Sequence, residues 1–370
     1  MKLSKICLNI TDGTHGSITD DVNGDYYLLS CKNIKNGKIV ISNNERKINF
    51  ETFLNLNKRT KLAKNDILIT TVGTVGEVGI IDTIDINYDF QRSVGILKVN
   101  SEIMLPKYVY YYLQSNLAQQ KINSLIKGAV QKCLFLKDIG NIEIIEKSTL
   151  EQQHIVNTIG SIDNYLDLLY KINNKLNLLI FENCKKISCK KNETTMKIYV
   201  KEETQRQGDN NYILLSVVSS GEVIEQEEFF NKNTASKDRK KYKIVYPMHF
   251  AFNPARANIG SIGMWNSKMI GCISPIYSVF EVEKEYEIFI NYYLKMDSVK
   301  EEIIKRSSGS VRQNLSFEEF LNIKIPEISS KDIKEFNKIT IPLWNQLNEN
   351  KRKIEHLKLI KNKLLMGYFK

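Results

Sequence analysis

The sequence has 370 residues, 42% of them hydrophobic, and its 53 Lys and Arg against 42 Asp and Glu leave a formal net charge of +11. That length calls for two or three domains, and the basic balance points to a polyanionic partner. No run approaches the ~20 apolar residues of a membrane span, and the opening MKLSKICLNITDGTHG lacks a signal-peptide core, so a cytoplasmic protein without a membrane partner is expected.

In chain order, apolar β-branched runs at 66–71, 78–81, 94–99 and 142–145 read as strands, with Gly73, Gly76 and Gly79 marking turns between them. Residues 107–126 carry helical spacing, and Tyr108, Tyr110, Tyr111 and Tyr112 fall where core packing is expected rather than base stacking. Ser148 and Glu151 form a capping box that opens a helix of about 30 residues, ~45 Å long. Along it Ile155, Ile159, Ile162, Leu166, Leu169, Leu176 and Ile180 alternate steps of four and three, with Asn173 in one apolar slot. That is a coiled-coil seam.

The second half repeats the first at an offset of 181 positions. Gly128 meets Gly309, Leu134 meets Leu315, Asn141 meets Asn322, and Ser148 with Glu151 recurs as Ser329 with Asp332. With small shifts, YLLS from Tyr27 matches ILLS from Ile213, and VGEVGII from Val75 matches IGSIGMW from Ile259. The stretch 288–304 repeats the helical 107–126. The expected organisation is an α+β domain at 1–147, a spacer helix at 148–183, a second α+β domain at 184–328 and a second helix at 329–370.

The second helix carries Phe336, Leu343, Leu347, Ile354, Leu357 and Leu364, again with an Asn, Asn350, in the seam. Set antiparallel so that paired positions sum to 523, Asn173 faces Asn350, Leu166 faces Leu357, Leu169 faces Ile354, Leu176 faces Leu347 and Ile159 faces Leu364. Only Ile162 against Lys361 is a poor match. A buried Asn pair selects one register, because any slip strands an amide against hydrocarbon. Pro342 removes a backbone bond and clashes with the preceding turn, so a separate or kinked segment at 331–340 is expected before the coiled coil begins. Two similar domains on antiparallel rods imply an internal pseudo-two-fold and two faces about one B-DNA turn apart, ~34 Å.

These features resemble the specificity (S) subunit of type I restriction-modification enzymes. The resemblance rests on DGTHGS from Asp12, KNDILITTVGTVGEVGII from Lys64, GAVQK from Gly128 and LEQQHIVNTIGSIDNYLD from Leu150. In the second half it rests on FAFNPARANIGSIGMW from Phe250, GCISPIYSVF from Gly271 and LNENKRKIEHLKLIKNKLL from Leu347. The resemblance implies two target-recognition domains, each reading half of a bipartite, asymmetric word in double-stranded DNA. It implies spacer helices that dock two methyltransferase (M) subunits, with restriction (R) subunits joining where the system cleaves. It also implies no catalytic residues and no cofactor on this chain; S-adenosylmethionine, ATP and Mg would belong to the partner subunits.

Phosphate contacts call for Lys and Arg, and base edges for Arg, Lys, Asn or Gln. The candidates in the first domain are His15 in a Gly-flanked turn, Lys32, Arg92 beside Gln91, and Gln131 with Lys132 after a Gly turn. In the second they are Arg239, Lys240 and Lys241 in the densest basic run of that half, Arg256, and Arg312 with Gln313. The last pair aligns with Gln131 and Lys132 across the repeat.

Catalytic alternatives lack their parts. Asn253-Pro254-Ala255-Arg256 half-resembles the Asn-Pro-Pro-aromatic motif of amino-methyltransferases, but the second Pro, the aromatic and a Gly-rich cofactor loop are missing. No Walker A motif or paired-carboxylate nuclease cluster occurs, and six cysteines without a CxxC pair argue against a zinc site. The competing non-enzymatic class is a coiled-coil scaffold or RNA-binding adaptor, which requires no preference for duplex DNA.

Overall fold

The computed structural model describes residues 1–42, 44–128, 132–189, 192–226, 239–307 and 314–370. The chain divides into two compact units, Met1–Leu169 with Arg352–Lys370, and Tyr170–Lys351.

In the first unit an antiparallel sheet runs in the order Cys7–Asp12, Val94–Val99, Ile67–Thr70, Val78–Ile80. Its period-two side chains feed two cores. Ile67, Ile69 and Leu97 pack on one face with the helices Pro106–Gln114 and Asn116–Leu125, while Leu68, Val94 and Ile96 pack on the other. The second face meets a smaller sheet in which Tyr26–Leu29 lies antiparallel to Lys47–Ile48 and parallel to Tyr88–Phe90.

The second unit is built to the same plan. Its antiparallel sheet has the order Val200–Glu202, Ser278–Val282, Phe250–Phe252, Ile262–Met264, and Phe250 and Phe252 enter one core while Ala251 enters the other. In the companion sheet Ile213–Val217 again runs antiparallel to a neighbour, Val223–Glu225, and parallel to a later strand, Gly271–Ile273. The first strand of each parallel pair falls on YLLS and ILLS, which the repeat aligns. The duplication is therefore one of topology as well as of sequence.

Several local expectations are corrected. The stretch 107–126 is two helices, because Ser115 turns extended and its hydroxyl accepts from the Ala118 N–H at 3.3 Å to start the second. The stretch 288–304 divides likewise into Glu287–Tyr293 and Asp297–Arg306. Gly79 lies inside a strand rather than at a turn. Residues 142–145 form no strand; Glu143 makes a single bridge to Lys2, where the chain coils at once into Leu3–Ile6.

Two long helices, Thr149–Ser188 and Ser330–Tyr368, contribute to both units. The first opens on the Ser148–Glu151 capping box and continues past 183, because Cys184 is buried in the core of the second unit. The second opens with Ser329 accepting from the Asp332 N–H at 3.2 Å. It does not break at Pro342. That residue sits on the exposed side, so the carbonyl it leaves unpaired, four residues back on Lys338, belongs to an exposed position too. Phe336, Leu343 and Trp344 on the other side pack into the core and hold the helix through it.

Within the first unit Leu166, Leu169 and Ile354 share a buried cluster with Ile162 and Leu357. Lys361 avoids the apolar seam by pairing with Asp163 at 2.7 Å, and Asp163 also accepts from the Tyr111 hydroxyl at 3.0 Å. Within the second unit Asn350 donates to Asn173 at 2.8 Å in a buried position, and Ile180 and Leu343 join one core. Leu347 is buried and Leu176 half-buried on the same two helices. Ile159 and Leu364 pack into the core of the first unit.

Candidate nucleic-acid interface

The loops that carry the first unit's candidate basic residues lie far apart in sequence, and backbone hydrogen bonds gather them. Gly13 rests against the end of the strand Tyr88–Phe90, where a Cβ would lie 2.0 Å from the Phe90 carbonyl oxygen; only glycine permits that approach. The Thr14 N–H then donates to Phe90 at 2.8 Å and the Arg92 N–H to Thr14 at 2.9 Å. From the same turn the chain of contacts passes outward. The Gln91 N–H donates to Leu29, the Cys31 N–H to the Ser93 hydroxyl, the Thr71 N–H to Ser93 and the Leu134 N–H to Thr71, all at 2.8–3.0 Å.

His15, Lys32, Arg92 and Lys132 thereby fall on one connected set of loops, and all four are exposed. His15 contacts the Asp12 carboxylate through Nε2 at 2.7 Å, and Lys32 pairs with Glu45 at 3.0 Å. The charged ends of Arg92 and Lys132 make no ion pair with a described residue. Two exposed cations with no ion pair among the described residues, one of them (Arg92) bonded through its backbone to the turn that carries His15, suit a phosphate-bearing partner. Gln131 lies outside the described residues.

Sequence reasoning missed two arginines that brace this cluster. Arg46 donates to Asp20 and to the Ile18 carbonyl at 2.7 Å each. Arg59 donates to the carbonyls of Asp12 and Gly13 at 2.6 and 2.8 Å and also pairs with the Asp12 carboxylate. Neither belongs to a motif, and no spacing in the sequence marks them.

In the second unit the Leu315 N–H donates to the Pro254 carbonyl at 3.0 Å, the counterpart of the Leu134–Thr71 bond across the repeat. Arg256, exposed, follows in the turn Pro254–Ile259. Asn253, which opens the methyltransferase-like tetrapeptide, is the cap of that turn and accepts from the Ala255 N–H at 3.1 Å. Arg239, Lys240 and Lys241 sit on a different element. The Arg239 carbonyl accepts from Gln207 at 2.6 Å, Lys240 pairs with Asp209 at 2.6 Å, and the Lys241 carbonyl accepts from Arg206 at 2.9 Å. Arg312 and Gln313 lie outside the described residues.

Other groups singled out in the sequence have structural roles. The four tyrosines at 108 and 110–112 are buried, with their hydroxyls bonded to Ile145, Gly37, Asp163 and Glu143. His249 packs edge-on to Tyr246, and burial lowers its pKa. No group of three or more His, Cys, Asp or Glu that could hold a metal ion occurs among the described residues.

Residues 16–178 match the family model described as the type I restriction modification DNA specificity domain. That segment, less than half of the chain, is similar to a type I specificity domain. Among curated proteins it is similar to the specificity subunit of the type I restriction enzyme EcoBI from Escherichia coli, at 34% identity over 158 residues. That match takes in 42% of this chain and 33% of the relative, so the chain spans about a third of the length of the curated relative it matches. Among solved structures it is similar to the S subunit of a type I restriction-modification system from M. genitalium. There the TM-score is 0.59 and the identity 16%, over 100% of this chain and 95% of the other, a likeness of fold. The specificity-domain match contains Lys32, Arg92, Lys132 and the bracing Arg46 and Arg59, and it extends along the central helix.

Proposed function

We propose that this chain is the DNA-reading subunit of a type I restriction-modification complex and is not itself a catalyst. The observation that carries the proposal is the specificity-domain match over the loops that bring Lys32, Arg92 and Lys132 together. Each unit reads one half of a bipartite word in duplex DNA, and the two halves differ because the reading loops differ. Basic side chains on those loops neutralise phosphates and fix register, while Arg, Gln or His reaches base edges. The long helices carry two methyltransferase subunits, which bind S-adenosylmethionine and methylate adenine; ATP and Mg belong to restriction subunits where these join. The complex works in the cytoplasm, where the DNA is.

The test is selection of a word from random duplex DNA by the full chain, with and without its methyltransferase partner. Enrichment of a two-part word with a fixed gap supports the proposal. Binding without sequence preference, or equal binding of RNA, supports the scaffold reading instead. A phosphate-contacting lysine such as Lys132, replaced by Ala, should lower the slope of log affinity against log salt by about one and weaken all sequences alike.

A further inference from the structure

The last two residues of the helix Phe50–Thr60 hold the loop that carries His15 and the strand Tyr88–Phe90 that leads into Arg92. Arg59 reaches the loop after Cys7–Asp12. One guanidinium nitrogen, Nη2, donates to the carbonyls of Asp12 and Gly13 and to the Asp12 carboxylate. The other oxygen of that carboxylate lies 2.7 Å from His15 Nε2. Thr60 reaches the strand Tyr88–Phe90: its hydroxyl donates at 2.6 Å to the carboxylate of Asp89, which is 0% exposed and also accepts from the Phe90 N–H at 2.7 Å. Lys61 then adopts a left-handed backbone, φ 45°, and ends the helix there.

We infer that Arg59 is a positioning residue that sets the reading loop of the first unit, acting through Asp12 on His15. Three acceptors crowd the two hydrogens of Nη2, one hydrogen being shared; the two carbonyls among them hold the backbone at Asp12 and Gly13, and the carboxylate passes that constraint to the imidazole. The Gly13 approach to Phe90 then transmits the same placement to Arg92, whose N–H bonds Thr14. Without Arg59 the cations of the cluster remain, so attraction to phosphate persists while the geometry needed for base readout is lost. This inference rests on the DNA-reading proposal.

Arg59 is itself 48% exposed, so direct contact with a phosphate is the rival role. The two roles separate in the full chain by selecting words from random duplex DNA and by measuring the salt dependence of binding. Arg59→Met keeps the apolar stem and removes every donor; Asp12→Ala removes the shared carboxylate and leaves Arg59 charged. As positioning partners, each variant should lose about tenfold or more discrimination in one half of the word, retain the other half, and leave the salt slope unchanged. The double variant should be no worse than either single one, because both cut the same link.

A salt slope lowered by about one in Arg59→Met with the word intact would assign Arg59 to phosphate and overturn the inference. So would an unchanged word in Asp12→Ala. Asp12→Ala, which cuts the link from the other side, decides the matter if the methionine variant does not fold. If the unaltered chain selects no two-part word, the DNA-reading proposal itself fails; if it does and the variants keep both halves, only the role of Arg59 fails.

Discussion

Asn350 donates its side-chain amide to the carbonyl of Asn173 at 2.8 Å, and both residues are buried between helices whose neighbouring seam positions are apolar. The amide oxygen of Asn350 also accepts from Gln346 at 2.9 Å. Removing one partner leaves a buried polar group against hydrocarbon, whereas removing both leaves an apolar seam. Asn173→Leu should therefore destabilise the second unit by about 1–3 kcal/mol in urea unfolding, and the double replacement Asn173→Leu, Asn350→Leu should recover most of that loss.

Lys361 pairs with Asp163 where both are mostly shielded, and the same carboxylate receives the Tyr111 hydroxyl. Lys361→Met fits the apolar neighbour Ile162 but leaves Asp163 with one partner fewer. A loss of about 1–2 kcal/mol is expected in denaturant unfolding of the first unit, less than a fully buried pair would give.

Pro342 occupies the exposed face of an unbroken helix and leaves the carbonyl of Lys338 without its intrahelical donor. Pro342→Ala supplies that donor. The variant should be more stable by about 1–2 kcal/mol, part of the gain being offset by the greater freedom of the unfolded chain. A calorimetric scan of the full chain measures it.

Burial raises the pKa of the Asp89 carboxyl against the lowering effect of its bonds to Thr60 and Phe90. The folded state thus binds this proton more tightly than the unfolded chain does. Its ionised form costs stability at neutral pH, and the cost disappears as pH falls through the raised value. Asp89→Asn removes the titration. The unfolding free energy of the variant minus that of the unaltered chain should be larger at about pH 7 than at about pH 4.

The sequence made the long helices legible because their partners are each other: alternating steps of four and three, capping boxes, and one Asn per seam specify helix, start and register locally. The duplication was legible for the same reason, since matched apolar runs became matched strands. Pro342 misled because local propensity yields to tertiary packing, here of Phe336, Leu343 and Trp344. Ser115 misled in the other direction, as a polar cap inside an apolar periodicity. The loop cluster had no local signature at all. It exists through backbone bonds between residues such as Thr14, Phe90, Ser93 and Thr71, and backbone groups are the same in every sequence. Arg59 and Thr60 were invisible for that reason too: their partners are a carbonyl pair and two carboxylates on other elements.

Mapping adenine methylation in the host genome with this gene present and deleted tests most directly whether this chain reads a two-part DNA word. An asymmetric bipartite motif with a constant gap should be methylated when the gene is present and lose methylation when it is deleted. A methylation pattern indifferent to the deletion, or a single uninterrupted word, would contradict that reading.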